Sequence, residues 1–127
     1  MVVNKHVNPT DPYTNIPAGN VDKFLRQLMT GPVSIAIEAD EDVFQHYKGG
    51  VIADDGSCGD SLDHAVLAVG HGTDESGTNF VLVKNSWGTV WGDKGFVKLG
   101  YGAGKDWWGT TTSACGFLNQ AAIVHVK

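Results

Sequence analysis

The 127-residue sequence is short of positive charge, of proline and of cysteine, and each shortage excludes something. Nine Lys and Arg stand against fourteen Asp and Glu, a formal charge of −5 with no basic run, which argues against nucleic acid and anionic membrane as partners. No apolar run approaches the roughly 18–20 residues of a bilayer span, and Met1 to Val7 lacks the apolar core of a signal peptide, so a soluble chain is expected. Four prolines fall below the usual ~5% and seventeen glycines exceed the usual ~7%, a bias suited to tight turns between strands rather than to disorder. Two cysteines can close one disulfide, but they cannot build a disulfide scaffold or supply all ligands of a Cys-only zinc site. What is present is core material: 42% hydrophobic and 18% charged residues predict one globular domain over 1–127, with no room for a second.

The lead Asn8-Pro9-Thr10-Asp11-Pro12 holds two prolines and reads as turns. From Asn20, a candidate N-cap, the apolar residues Val21, Phe24, Leu25, Leu28 and Met29 recur at helical spacing, and Gly31-Pro32 ends the helix. Val33 to Glu38 is β-branched at alternate positions and reads as a strand. After a turn at Phe44 to Tyr47, the chain reads as short strands joined by glycine-rich loops: 50–53, 64–72, 79–84, 95–99 and 121–126. Gly100 to Ser113, with Trp107 and Trp108, reads as a long loop. Parallel strands would need crossover helices that this half lacks, so the expected fold is α+β and mainly β, an antiparallel, barrel-like sheet with one helix in the N-terminal half.

Of the five histidines, His64 stands apart because it opens the apolar run Ala65-Val66-Leu67-Ala68-Val69-Gly70, where a strand leaves a loop. Asn85 ends a second strand, and antiparallel pairing of the two strands would bring it beside His64. A carboxamide accepting from one imidazole N–H fixes the ring's tautomer and orientation, the third-group role in nucleophile–base–orienter catalysis. Trp87, two positions on, would cover that hydrogen bond. Zinc binding by His64 with His71 is disfavoured, since seven positions along a strand place them on opposite faces and two ligands make no site. No metal or cofactor is called for. The acidic group Asp40-Glu41-Asp42 reads as solvated surface.

The segments Gly31-Pro32-Val33-Ser34-Ile35-Ala36-Ile37, Tyr47-Lys48-Gly49-Gly50-Val51-Ile52 and Leu62-Asp63-His64-Ala65-Val66-Leu67-Ala68-Val69-Gly70-His71-Gly72 carry a family resemblance. Leu82-Val83-Lys84-Asn85-Ser86-Trp87-Gly88 through Trp91-Gly92 to Gly95, and Cys115-Gly116-Phe117, continue it. In this order, the sequence resembles the papain-like cysteine peptidases, the family of papain and the cathepsins. The resemblance covers the C-terminal, right-hand lobe of that fold. The family's catalytic Cys lies about 130–150 residues before its His and Asn, so here the nucleophile and its motif would precede Met1.

The resemblance implies roles residue by residue. His64 would be the catalytic base, Asn85 its orienter, Trp87 the shield, and Trp91 the aromatic on the leaving-group side of the cleft. Ala36, Leu62, Ala65 and Gln120 would build the pocket for the second residue before the scissile bond, Gln120 departing from an apolar floor. The three apolar positions could equally be core. Cys58 and Cys115 would pair, closing a loop worth about 4 kcal/mol in the chain-entropy model. The implied activity is peptide-bond hydrolysis through an acyl-enzyme, with peptide or protein substrates and a lysosomal or secreted setting. The implied partner is the lobe or chain carrying the catalytic Cys, without which this chain would be inactive. The rival reading is a non-catalytic interaction module or fragment that self-associates through the exposed cleft face.

Overall fold

The computed structural model describes residues 13–105, 111–119 and 121–124. In chain order the elements are β1 (Tyr13–Ile16), α1 (Val21–Thr30), β2 (Val33–Ile37), α2 (Asp42–Gln45), β3 (Val51–Ile52) and β4 (His64–Thr73). There follow β5 (Asn79–Lys84), β6 (Phe96–Lys105), β7 (Thr111–Ser113), a 3-10 turn at Ala114–Gly116 and β8 (Ala121–Val124).

The helix α1 starts where its cap requires: the Asn20 side chain accepts from the Lys23 amide at 3.0 Å. Phe24 and Leu28 are buried on the sheet, whereas Met29 is 79% exposed. At 3.6 residues per turn, Met29 stands about 80° from Val21 and about 140° from Phe24, off the buried stripe. The strand β2 alternates as its sequence does, with Val33, Ile35 and Ile37 buried. Val66 and Ala68 of β4, Val81 and Val83 of β5, and Val97 and Leu99 of β6 complete the sheet's share of the core. Phe24 meets Phe117 across it at 5.6 Å between ring centroids.

The strand order is β1-β8-β2-β4-β5-β6-β3, with β7 paired to β6 off this path. The mainly β class holds, but the sheet is open rather than closed into a barrel. β3 also pairs with β6 in parallel, Val51 opposite Lys98 and Ile52 opposite Leu99. The connection that makes this pairing is not a helix but the β4–β5 hairpin, whose residues supply the crossover length a parallel pair needs.

Other boundaries moved as well. The edge strand β1 pairs with β8, a partner over a hundred positions away that local sequence does not announce. The turn at Phe44 contains the one-turn helix α2. β6 runs on through Gly100 and Tyr101 to Lys105, and β7 returns against it, so part of the expected loop is sheet. Trp107 and Trp108 lie outside the described residues, as does the lead at 8–12.

Candidate active site

Two adjoining strands place the central pair. His64 is the first residue of β4, held opposite Ile37 of β2, and Asn85 follows the last residue of β5. The turn entering β4 is tied to the end of β2, since the Asp63 amide donates to the Ile37 carbonyl at 2.9 Å and Asp63 Oδ1 accepts from the Ala39 amide at 2.9 Å. The imidazole Nε2 of His64 lies 2.8 Å from Asn85 Oδ1.

A second contact on the same oxygen decides the tautomer. Asn85 Oδ1 also accepts from the Ser86 amide at 2.7 Å. A backbone N–H can only donate, so the atom facing it is the carboxamide oxygen, and the imidazole nitrogen facing that oxygen must carry the proton. In the neutral ring Nδ1 is therefore the basic nitrogen, and among the described residues it has no hydrogen-bond partner. The cost falls on Asn85 Nδ2, which is buried with no partner among the described residues.

Trp87 covers the imidazole by stacking, with ring centroids 5.2 Å apart and planes at 27°. Its segment, 85–95, is anchored at the base by the Asn85 amide donating to the Gly95 carbonyl at 3.0 Å and the Gly95 amide to the Trp91 carbonyl at 2.8 Å. Trp91 is half-buried: its Nε1 donates to the Gln45 carbonyl at 3.1 Å, and its ring packs on Phe44 and Tyr47. The Tyr47 hydroxyl donates to the Gly50 carbonyl at 2.6 Å and accepts from the Lys98 amide, and burial raises its pKa.

Ala36 and Ala65 lie opposite each other across β2 and β4, Ala36 half-buried and Ala65 exposed. Leu62 lies near Gly116, where an added Cβ would be 3.1 Å from its Cδ2. Gln120 lies outside the described residues. A shallow hollow of about 370 Å³ runs along Ser34, Ala65, Leu67, Lys84 and Asn85, next to the His64 pair. A larger one, about 520 Å³, is lined by Asp54, Asp55, Asp60 and Cys115 and contains neither His64 nor Asn85.

Cys58 and Cys115 form a disulfide with Cα atoms 4.7 Å apart, so neither thiol is free beside His64. The expected opposition of His64 and His71 is altered by a bulge between Ala68 and Gly70. It adds one residue to β4 and returns His71 to a position opposite Val81, on the face of Val66 and Ala68. Seven positions at about 3.3 Å each still set the two residues about 23 Å apart along the strand, too far to share an ion.

Sequence reasoning missed Phe44 and the buried Glu38. The first sits in a segment too short to show a period. The second follows an alternating strand and lies two residues before the exposed acidic run Asp40-Glu41-Asp42, with which it reads as surface.

An imidazole pinned at one nitrogen by a carboxamide, covered by an indole and without a partner at the other nitrogen among the described residues, is chemically able to take up and return a proton at a fixed point. Comparison with known proteins gives the chain its family. The sequence signature of the papain family of cysteine proteases matches residues 2–124, and the chain belongs to that family. It is 52% identical over 88 residues to cathepsin L1 of Drosophila melanogaster, covering 68% of this chain and 24% of that protein. It is 50% identical over 97 residues to a cathepsin L-like peptidase of Aedes aegypti, covering 75% and 29%. The solved bromelain protease of Ananas comosus in complex with the E64 inhibitor superposes with a TM-score of 0.74 at 31% identity, over 91% of this chain and 50% of that one. A Carica candamarcensis cysteine protease, also with E-64, gives 0.72 at 40% identity, over 87% and 46%. The matches thus span less than a third of the length of these two sequence relatives.

Proposed function

We propose that this chain is the His- and Asn-bearing lobe of a papain-family cysteine peptidase and that it hydrolyses peptide bonds only when a second lobe or chain supplies the cysteine. The observation that carries the reading is the His64 Nε2 contact to Asn85 Oδ1 at 2.8 Å, which leaves Nδ1 unpartnered among the described residues. His64 Nδ1 takes the proton of the partner's thiol. The thiolate adds to the scissile carbonyl, and the imidazolium returns that proton to the leaving amine as the acyl-enzyme forms. Water then enters with its proton passing to Nδ1, and the thiol is regenerated as the peptide acid leaves. Asn85 holds the ring through both proton transfers, and Trp87 limits water at that hydrogen bond.

The exposed apolar groups beside the pair support a missing neighbour: Leu67 is 38% exposed and Trp87 41%. Ala36, Leu62, Ala65 and Gln120 are proposed to select the substrate residue two before the scissile bond, and Trp91 to border the leaving-group side. The disulfide favours an oxidising compartment, in keeping with a lysosomal or secreted setting.

The test is a fusion of this chain behind the Cys-bearing lobe of a papain-family relative, assayed with a fluorogenic dipeptide substrate. The chain alone gives no turnover, the fusion does, and His64→Ala in the fusion abolishes it. Turnover by the chain alone that survives His64→Ala would overturn the reading.

A further inference from the structure

We propose that Phe44 is a positioning residue, whose edge-to-face contact with Trp87 holds the indole flat on the His64 imidazole. The inference rests on the reading of His64 as the base and adds a residue to that site.

Trp87 cannot be held in place by burial alone, because it is 41% exposed and sits in a glycine-rich connection between β5 and β6. A side chain so exposed, on such a support, turns freely unless its neighbours fix the ring plane. Two neighbours meet it at nearly right angles: Phe44 at 5.5 Å and 82°, and Trp91 at 5.4 Å and 83°. Such arrangements are the ones aromatic quadrupoles favour, and they resist rotation of the ring. His64 lies stacked at 27°.

Of the two neighbours, Phe44 is the fixed one. It is fully buried, points inward from α2, and packs on Trp91 at 4.8 Å. Trp91 in turn is fastened to α2 by its bond to the Gln45 carbonyl. The one-turn helix therefore sets both edges against which the indole rests, though it makes no ring contact or hydrogen bond with His64 or Asn85.

Proton NMR of the 127-residue chain tests this without substrate. In the wild type, the imidazole C–H signals of His64 are displaced upfield by the indole relative to the Trp87→Ala chain. Phe44→Met keeps the volume and the fold but not the aromatic edge, and loses half or more of that displacement, whereas Phe44→Tyr retains it. A folded Phe44→Met chain with the whole displacement intact overturns the proposal, as does a Trp87→Ala chain whose His64 signals have not moved. Should Phe44→Met fail to fold, the wild type decides alone: nuclear Overhauser contacts from Phe44 to the indole and from the indole to the imidazole are expected, and their absence overturns it. These readings involve no catalysis, so an inactive fusion would remove the proposed function while leaving the stack measured.

Discussion

Asn85 shows how one atom can carry a site's organisation. Its Oδ1 takes two N–H donors, so the orientation of the amide and the tautomer of His64 follow from a single backbone contact. Glu38 and Asp40 make a different use of local geometry. Glu38 is buried with Oε1 accepting from the Ser61 amide at 2.7 Å, and Asp40 reaches it from the exposed side. The hydrogen bond to Glu38 raises the pKa of Asp40 above its ordinary 3.8, with burial and the charges of Glu38 and Asp63 acting in the same direction. The folded chain then binds this proton more tightly than the unfolded one. The contribution to stability is full below pH 3.8 and is lost as pH rises through the raised value. Asn at position 40 imitates the protonated acid at every pH. Asp40→Asn should therefore gain stability relative to the wild type at pH 7 and show little difference at pH 3.5, read as the difference between their thermal midpoints at each pH. Equal differences at the two values would show that the folded chain binds the Asp40 proton no more tightly than the unfolded one.

At the scale of elements, the segment from Asn85 to Gly95 joins two strands and positions an aromatic cluster. Gly92 is its narrowest point: with φ at +64°, an added Cβ would lie 2.8 Å from the Phe96 carbonyl oxygen. Gly77, in the β4–β5 turn, has φ at +86° with nothing within 4 Å of such a Cβ. Gly77→Ala should cost about 1 kcal/mol from backbone strain alone. Gly92→Ala should cost about 1–3 kcal/mol more, because the Phe96 backbone must also shift. Denaturant unfolding of the two variants measures both, and equal losses would mean that the close approach carries no energy.

These elements also show where sequence could be read. α1 and the inner strands carry their periods openly: Phe24 with Leu28, and Val33 with Ile35 and Ile37, are buried as their spacing predicts. His64 and Asn85 were legible because each is a polar group at a strand end, His64 opening β4 and Asn85 following β5. β1, α2 and the parallel β3–β6 pair were not, since each is two to four residues long and owes its conformation to distant partners such as β8 and β6. Gly100 and Tyr101 continue β6 although glycine is a poor strand former. Gly100 lies against the Ile52 carbonyl, where a Cβ would come within 3.0 Å, so tertiary packing overrides propensity there.

For the whole molecule, the open sheet makes the covalent link more consequential than it would be in a closed barrel. β1 and β3 end the sheet without pairing to each other. The Cys58–Cys115 disulfide joins the loop before β4 to the turn before β8 across 57 positions, and both residues are 1% exposed. Beside it, the Glu38 amide donates to the Cys115 carbonyl at 2.9 Å, so the bridge also fastens the end of β2. Removing a cross-link of this span releases about 4 kcal/mol of chain entropy to the unfolded state, a large share of the roughly 5–15 kcal/mol that stabilises a domain. The Cys58→Ala, Cys115→Ala double variant should therefore unfold at much lower denaturant than the oxidised chain. Its slope with denaturant should be steeper, because the unlinked unfolded chain exposes more surface. Unfolding curves that superimpose would show that the hydrogen-bonded sheet and its core hold the fold unaided, and the bridge would then be a consequence of the fold rather than one of its supports.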